Sequence, residues 1–348
     1  MIVELVKVVL ALVTGTYQDD DFYSYLEQAQ FINDGTTDYS QITGRSGPIA
    51  YPALSSYLHV FMLNKYITNN MQYYMPARII CGVSHLITMY FLVKIYQLAF
   101  KDKPGFANLV LVLCFSFISI QASADKIFND TYTTMFCVIA IYLYQRHQHV
   151  LGTLTMSIAL GFKMNAIMHI PAIYLITSRS RGIVVGTLHV IAIIGLQYLY
   201  AYPFINTDEK FESYIGTAFN MGRTYGHGHN FHWRFLHPIM MATFVFNFTL
   251  LLIQAGLLLY FLFNKWMKFR DSFRELSIWP FRILPSFKNQ EPFYVAEVFF
   301  VCNFIGMICS RGVFFQYVIW FWFSYPFLLW NGPMKFYRLS TKHLICIM

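Results

Sequence analysis

An all-α polytopic membrane protein is the fold class this sequence predicts, on three observations. Hydrophobic residues make up 57% of the 348 positions and charged residues only 12%, against roughly 25% charged in soluble domains. Mean hydropathy is +0.46. Alternating strand patterns that would suggest a membrane barrel are absent, which leaves helices to satisfy the backbone inside a bilayer.

Apolar runs place about ten spans, at 2–16, 48–67, 76–99, 106–123, 131–145, 150–177, 182–202, 236–263, 292–310 and 313–334. The first is shorter than the ~20 residues a crossing needs. It also lacks the basic start and small-residue cleavage site of a signal peptide, so it reads either as a truncated start or as a partly submerged helix. The segment 150–177 is long and carries Gly161 and Lys163-Met164-Asn165 near its middle. It reads as one bent or broken helix, with two half-spans as the alternative. No repeat or linker divides the chain, so residues 1–348 form a single integral-membrane domain.

Basic residues orient the spans. The segment 264–291, with Lys265, Lys268, Arg270, Arg274, Arg282 and Lys288, reads as cytoplasmic. The polar stretches 17–47 and 203–235 then share the opposite side. Lys101, Lys103 and Arg146 disagree, because this assignment puts them on the non-cytoplasmic side. The net charge of +8 follows from these segments and does not point to nucleic acid. The six cysteines fall in or beside apolar runs without metal-ligand spacing and read as small core residues.

The chemistry concentrates in the first polar stretch, which holds Asp19, Asp20, Asp21, Asp34, Asp38 and Glu27. Residues 21–34 read as an amphipathic helix. The aspartates cap its start, Asn33-Asp34-Gly35 ends it, and Phe22, Tyr25, Leu26 and Ala29 form a face that can lie on the membrane surface. Gly44, Gly47 and Pro48 make the return turn. Asn129-Asp130 reads as a cap or turn, and its formal glycosylation sequon falls on the cytoplasmic side. Lys163 is an ionisable residue in an apolar run, either functional or snorkelling. The second polar stretch carries Arg223, His227, His229, His232, Trp233, Arg234 and His237. Its histidines match no zinc spacing. Its cations suit an anionic group such as phosphate, as does Arg311 between the last two spans.

These motifs, in order, carry a resemblance. Asp21-Phe22, Asp38-Tyr39, Gly47-Pro48 with Tyr51-Pro52, Phe128-Asn129-Asp130, Lys163-Met164-Asn165, Trp233-Arg234-Phe235 and Asn303 through Ser310-Arg311 to Gln316-Tyr317 closely resemble one family. It is the dolichyl-phosphate-mannose-dependent α-1,3-mannosyltransferases of the endoplasmic reticulum, which act in N-glycan precursor assembly. The resemblance runs from about residue 17 to 331. Asp34 departs from it, standing where the family more often has a small residue.

The resemblance implies a GT-C glycosyltransferase-like bundle with lumenal catalytic loops in the endoplasmic reticulum membrane. The implied donor is dolichyl-phosphate-mannose and the implied acceptor a dolichyl-diphosphate-linked oligosaccharide. No cofactor and no metal is expected. Turning a β-mannosyl phosphate into an α-mannoside is one inverting displacement, which needs a base for the attacking hydroxyl. The leaving phosphate needs cationic stabilisation and no general acid, unlike the carboxylate pair of glycosidases. By motif match the base is Asp21, with Asp20 as the fallback. Arg234 and Arg311 are matched to the lipid phosphate, with Lys163 and His232 behind them. Asp38, Tyr39, Trp233, Gln316 and Tyr317 are assigned to loop shape or the acceptor. The neighbouring reading is a mannosyltransferase of the same fold acting on a later N-glycan intermediate or a GPI precursor. A transporter would instead show inverted halves and facing charges at mid-membrane.

Overall fold

The computed structural model describes residues 1–15, 20–101, 119–220, 232–267 and 290–331, which are almost entirely helical. The helices are α1 (Ile2–Thr14), α2 (Asp20–Asn33), α3 (Ala53–Met62), α4 (Met75–Ala99), α5 (Asp130–Gln145) and α6 (His149–Phe162). They continue with α7 (Ile170–Arg181), α8 (Ile183–Ala201), α9 (Asp208–Ala218), α10 (Phe244–Phe261), α11 (Pro292–Ile308) and α12 (Tyr325–Asn331). A two-residue hairpin pairs Thr43 with Pro48 and Gly44 with Gly47. Three helical stretches, Met75–Ala99, Ile183–Phe204 and Phe244–Trp266, are long and apolar enough to cross a bilayer. On two of them large apolar side chains point outward, including Val184, Ile194 and Leu199, and Phe244, Val245 and Leu251. Such a surface suits hydrocarbon, and the chain is an all-α membrane protein.

The first polar block, residues 15–74, starts and finishes at the same end of the bundle. Arg78, at the start of α4, donates to the carbonyls of Ala11 (2.8 Å) and Leu12 (3.3 Å) at the end of α1. Seven residues further along α4, His85 meets Glu4 near the start of α1. The two helices are therefore antiparallel, joined across one end. This corrects the expected span at 48–67. Only Ala53–Met62 is helical there, and it packs beside α2 instead of crossing. Ten residues rise about 15 Å, half a hydrocarbon core.

The segment 150–177 is likewise not one crossing helix. Helix α6 climbs to Phe162, and Lys163 is extended (φ −157°, ψ 137°). A tight 3₁₀ turn, Met164–His169, reverses the chain into α7, whose start carries a proline in its first turn. Ser180 of α7 then lies 3.4 Å from His149 at the start of α6. The two half-helices return to one end, as the alternative reading had it. The last expected span, 313–334, is also irregular: 3₁₀ turns at Phe315–Trp320 and Trp322–Ser324 precede α12. The span at 106–123 lies mostly outside the described residues.

Together the fold-back and the reversal resolve the charge disagreement for the described residues. Lys101 follows the far end of α4, and Arg146 follows α5, which runs down beside α6. They sit at the end opposite the polar loops, with Arg179, Arg181 and Lys265. Asn129 and Asp130 move the other way, to the polar-loop end, where both are fully buried. The sequon there is inaccessible.

The main core joins α4, α5, α6, α7 and α11 through Leu92, Ile141, Leu160, Ile173, Phe299 and Phe300. A second core docks the polar block: Phe22, Tyr25, Leu26 and Ala29 of α2 pack on Met62, Ala77, Cys81 and Phe162. The amphipathic face expected on the membrane surface is thus inside the protein. Phe22 and Leu26 each contribute about 1.5–3 kcal/mol on leaving water. Gly35 (φ +97°) ends α2, donating its N–H to Ile32 while Thr36 donates to Phe31. A third cluster, with Tyr39, Ile42, Ile49, Phe204 and Tyr214, ties this block to the chain following α8.

Candidate functional site

Helix α2 carries the leading carboxylate. Asp20 and Asp21 occupy its first turn, where a negative charge complements the helix dipole. Asp20 is exposed. Asp21 is half-buried, and Ser46 of the hairpin donates to it at 3.4 Å. The hairpin is clamped to α2 by Arg45, which holds Glu27 through its guanidinium (2.6 and 2.9 Å) and its backbone N–H (2.7 Å). Arg45 also lies 3.8 Å from Asp20 and over the Tyr23 ring. Its hydrogen bonds hold the Glu27 carboxyl below the usual range. Gly44 is needed because a Cβ there would come within 2.6 Å of the Ser24 carbonyl.

One turn after Asp21, the Tyr25 hydroxyl lies 3.2 Å from that of Tyr51. Tyr51 leads inward. Its ring is one of three aromatic faces around the Lys163 ammonium, at 5.2 Å, with Tyr317 at 4.7 Å and Trp320 at 4.9 Å. Lys163 donates to Asp130 Oδ1 at 2.7 Å, and the Trp320 indole N–H donates to the same oxygen. Tyr317 stacks on Trp320 at 4.1 Å and 14°. Asp130 is fully buried, and its Oδ2 has no hydrogen-bond partner among the described residues. Native proteins keep few such orphans, so one on a buried ion pair marks a site to explain.

The other candidates fall elsewhere. Asp38 caps the 3₁₀ turn Tyr39–Gln41, accepting from the Ser40 N–H and hydroxyl, which lower its pKa. Tyr39 is buried, 3.0 Å from the Ser56 hydroxyl and donating to the Tyr51 carbonyl at 3.2 Å. His232 and Trp233 both bond the Ser310 carbonyl, at 3.1 and 3.0 Å, beside half-buried Arg311. Arg234 is exposed, and Gln316 is buried. Asp19, Arg223, His227 and His229 lie outside the described residues. Among the described residues no group of three or more His, Cys, Asp or Glu side chains could hold a metal ion.

Sequence reasoning missed Asp130 and Trp320 as partners of Lys163, and Tyr25 as the link from Asp21 to Tyr51. A signal existed. A lysine in an apolar run needs a counter-charge, and Asp130 borders the adjoining apolar run.

Fold and site together define an integral-membrane helical protein whose polar chemistry gathers at one end of the bundle, beneath a carboxylate-bearing loop. The chain belongs to the ALG3 protein family, which matches residues 1–347. It is 27% identical to the Dol-P-Man:Man(5)GlcNAc(2)-PP-Dol alpha-1,3-mannosyltransferase of Arabidopsis thaliana, covering 96% of this chain and 76% of that protein. It is 26% identical to the human protein of the same name, covering 94% and 74%, and 26% identical to that of Neurospora crassa, covering 94% and 76%. No solved structure matches.

Proposed function

We propose that this chain transfers mannose from dolichyl-phosphate-mannose, in α-1,3 linkage, to the pentamannosyl-chitobiosyl-diphosphodolichol intermediate of N-glycan assembly. The observation that carries the reading is the family match along the whole chain to relatives named for this reaction. The fold proposed with it is a GT-C bundle of about ten segments. Losing 48–67 as a crossing and splitting 150–177 into two leaves that count unchanged. The polar-loop end faces the lumen of the endoplasmic reticulum, and the basic end faces the cytoplasm.

The mechanism is a single inverting displacement. Asp21 takes the proton of the attacking acceptor hydroxyl as the hydroxyl oxygen bonds to the mannose anomeric carbon. The bond from that carbon to the phosphate oxygen breaks, and dolichyl phosphate leaves as a stable anion. Arg311 and Arg234 receive the phosphate charge, with His232 and Trp233 holding the Ser310 turn beside Arg311. Lys163 lies deeper, already paired with Asp130, and bears on the site through Tyr51 and Tyr317. Asp38 and Tyr39 shape the loop. Gln316 lies in the segment between Arg311 and Trp320 and is assigned with Tyr317 to the acceptor side.

The test is transfer by purified protein from a dolichyl-phosphate-mannose analogue to the pentamannosyl lipid-linked acceptor, with linkage read by α-mannosidase digestion. Wild type extends the acceptor by one α-1,3 mannose, and Asp21→Asn loses about 10²–10⁴-fold in turnover. Extension only of a longer N-glycan intermediate or a GPI precursor would refute the substrate reading. A near wild-type Asp21→Asn would refute the base.

A further inference from the structure

We propose that Asp130 is a positioning residue of this reaction: it holds Lys163 and the Trp320 indole on one oxygen, and so fixes the Arg311–Trp320 segment against the Asp21 loop. The inference rests on the proposed transfer reading and adds to it a residue that never touches substrate. Two separate pieces of chain must meet for the displacement, the base on α2 and Arg311 after α11. Among the described contacts, the Asp130 assembly bridges them.

On one side, Asp130 Oδ1 receives Lys163, whose ammonium faces the Tyr51 ring at 5.2 Å. The Tyr51 hydroxyl lies 3.2 Å from that of Tyr25, which stands one helical turn from Asp21. On the other side, the same oxygen receives the Trp320 indole, against which Tyr317 stacks. Asn303 of α11 donates to the Trp320 carbonyl at 2.7 Å, which ties the segment to the helix leading into Ser310 and Arg311. The segment has no continuous α-helical backbone of its own, only 3₁₀ turns. Its placement therefore depends on side-chain contacts such as these. An ion pair is a poor stabiliser in a buried setting compared with apolar residues of the same volume. Its value here is direction: one acceptor oxygen admits two donors from two segments in one geometry.

The test is a double-mutant cycle on turnover at saturating substrates, with Asp21→Asn, Asp130→Asn and both together. Asp130→Asn keeps the side-chain shape and removes the charge. A displacement of about 1 Å at a reacting group costs on the order of 10²-fold, so turnover falls roughly 30- to 100-fold in the wild-type background. In the Asp21→Asn background the same change costs less than about threefold, since there is no base left to misplace. A role confined to folding would cost the same factor in both backgrounds. Equal factors, or Asp130→Asn within threefold of wild type, overturn the proposal. If Asp130→Asn does not fold, Trp320→Phe takes its place in the same cycle, removing one donor while keeping an aromatic ring, and is held to the same outcomes. Absence of transfer by wild type would instead overturn the function reading.

Discussion

The guanidinium of Arg78 reaches the carbonyl of Ala11 at 2.8 Å, so the end of the first helix and the start of the fourth are held side by side. On the proposed topology, the described chain between them, residues 20–74, lies at one face of the membrane. Cysteine labelling from either side checks this. Lys65→Cys and Asp208→Cys should react with an impermeant maleimide from the same side, and Arg146→Cys from the other. Labelling of Lys65→Cys from the side of Arg146→Cys would restore 48–67 as a crossing helix.

The buried ion pair makes a prediction about stability, apart from turnover. Lys163→Met leaves the Asp130 carboxylate buried and uncompensated, which costs about 3–5 kcal/mol. Adding Asp130→Leu removes the stranded charge and recovers most of that loss. Thermal unfolding in one fixed detergent reads both changes. A double variant no more stable than Lys163→Met would show that the pair packs in a way apolar side chains cannot replace.

At the hairpin, Gly44→Ala should lift the return strand from α2. The new Cβ would meet the Ser24 carbonyl oxygen at 2.6 Å and the Ser24 Cα at 3.1 Å, and backbone cannot swing away as a side-chain end would. The expected cost is about 1–3 kcal/mol. Proteolysis of the 40–48 loop should rise with it. Unchanged proteolysis would mean the hairpin is not pressed on α2.

Acid should release the same loop. The Glu27 carboxyl has its pKa lowered by Arg45, and Asp38 by the Ser40 N–H. Groups depressed in the folded state contribute stability that is fully present above their unfolded values, about 4–4.5. That stability is lost as pH falls through the lower folded values. Between pH 6 and 8 neither group produces any trend. Because Glu27 and Arg45 are partly exposed, solvent screening keeps the contribution of their pair small. Limited proteolysis at pH 7 and at pH 3 should show opening at the lower pH. Glu27→Gln should open the loop at both.

Sequence made much of this architecture legible where one physical rule dominated. The apolar runs of α4 and α8 meet no competing demand and stand where their length put them, while α10 starts at Phe244, eight residues inside the expected run. The period of Phe22, Tyr25, Leu26 and Ala29 revealed α2. It did not reveal what covers that face, because hydropathy reads the same against lipid as against protein. Hydropathy also could not distinguish α3, apolar but lying in the loop block, from a span. At 150–177 the clue was Lys163, a charge that must be satisfied and so could not sit midway along a lipid-facing rod. The pairing of Asp130 with Trp320 spans 190 residues and leaves no local trace.

That separation has a consequence in time. Asp130 and its lysine are 33 residues apart, so their ion pair can form early in synthesis. Trp320 follows Asp130 by 190 residues. At about 5–20 residues per second this is a wait of about 10–40 s. Until then Asp130, already paired with Lys163, and the base on α2 wait without the finished Arg311–Trp320 segment. On the proposed mechanism the half-built chain is inert, and transfer begins only when the ribosome has delivered the last piece of the floor.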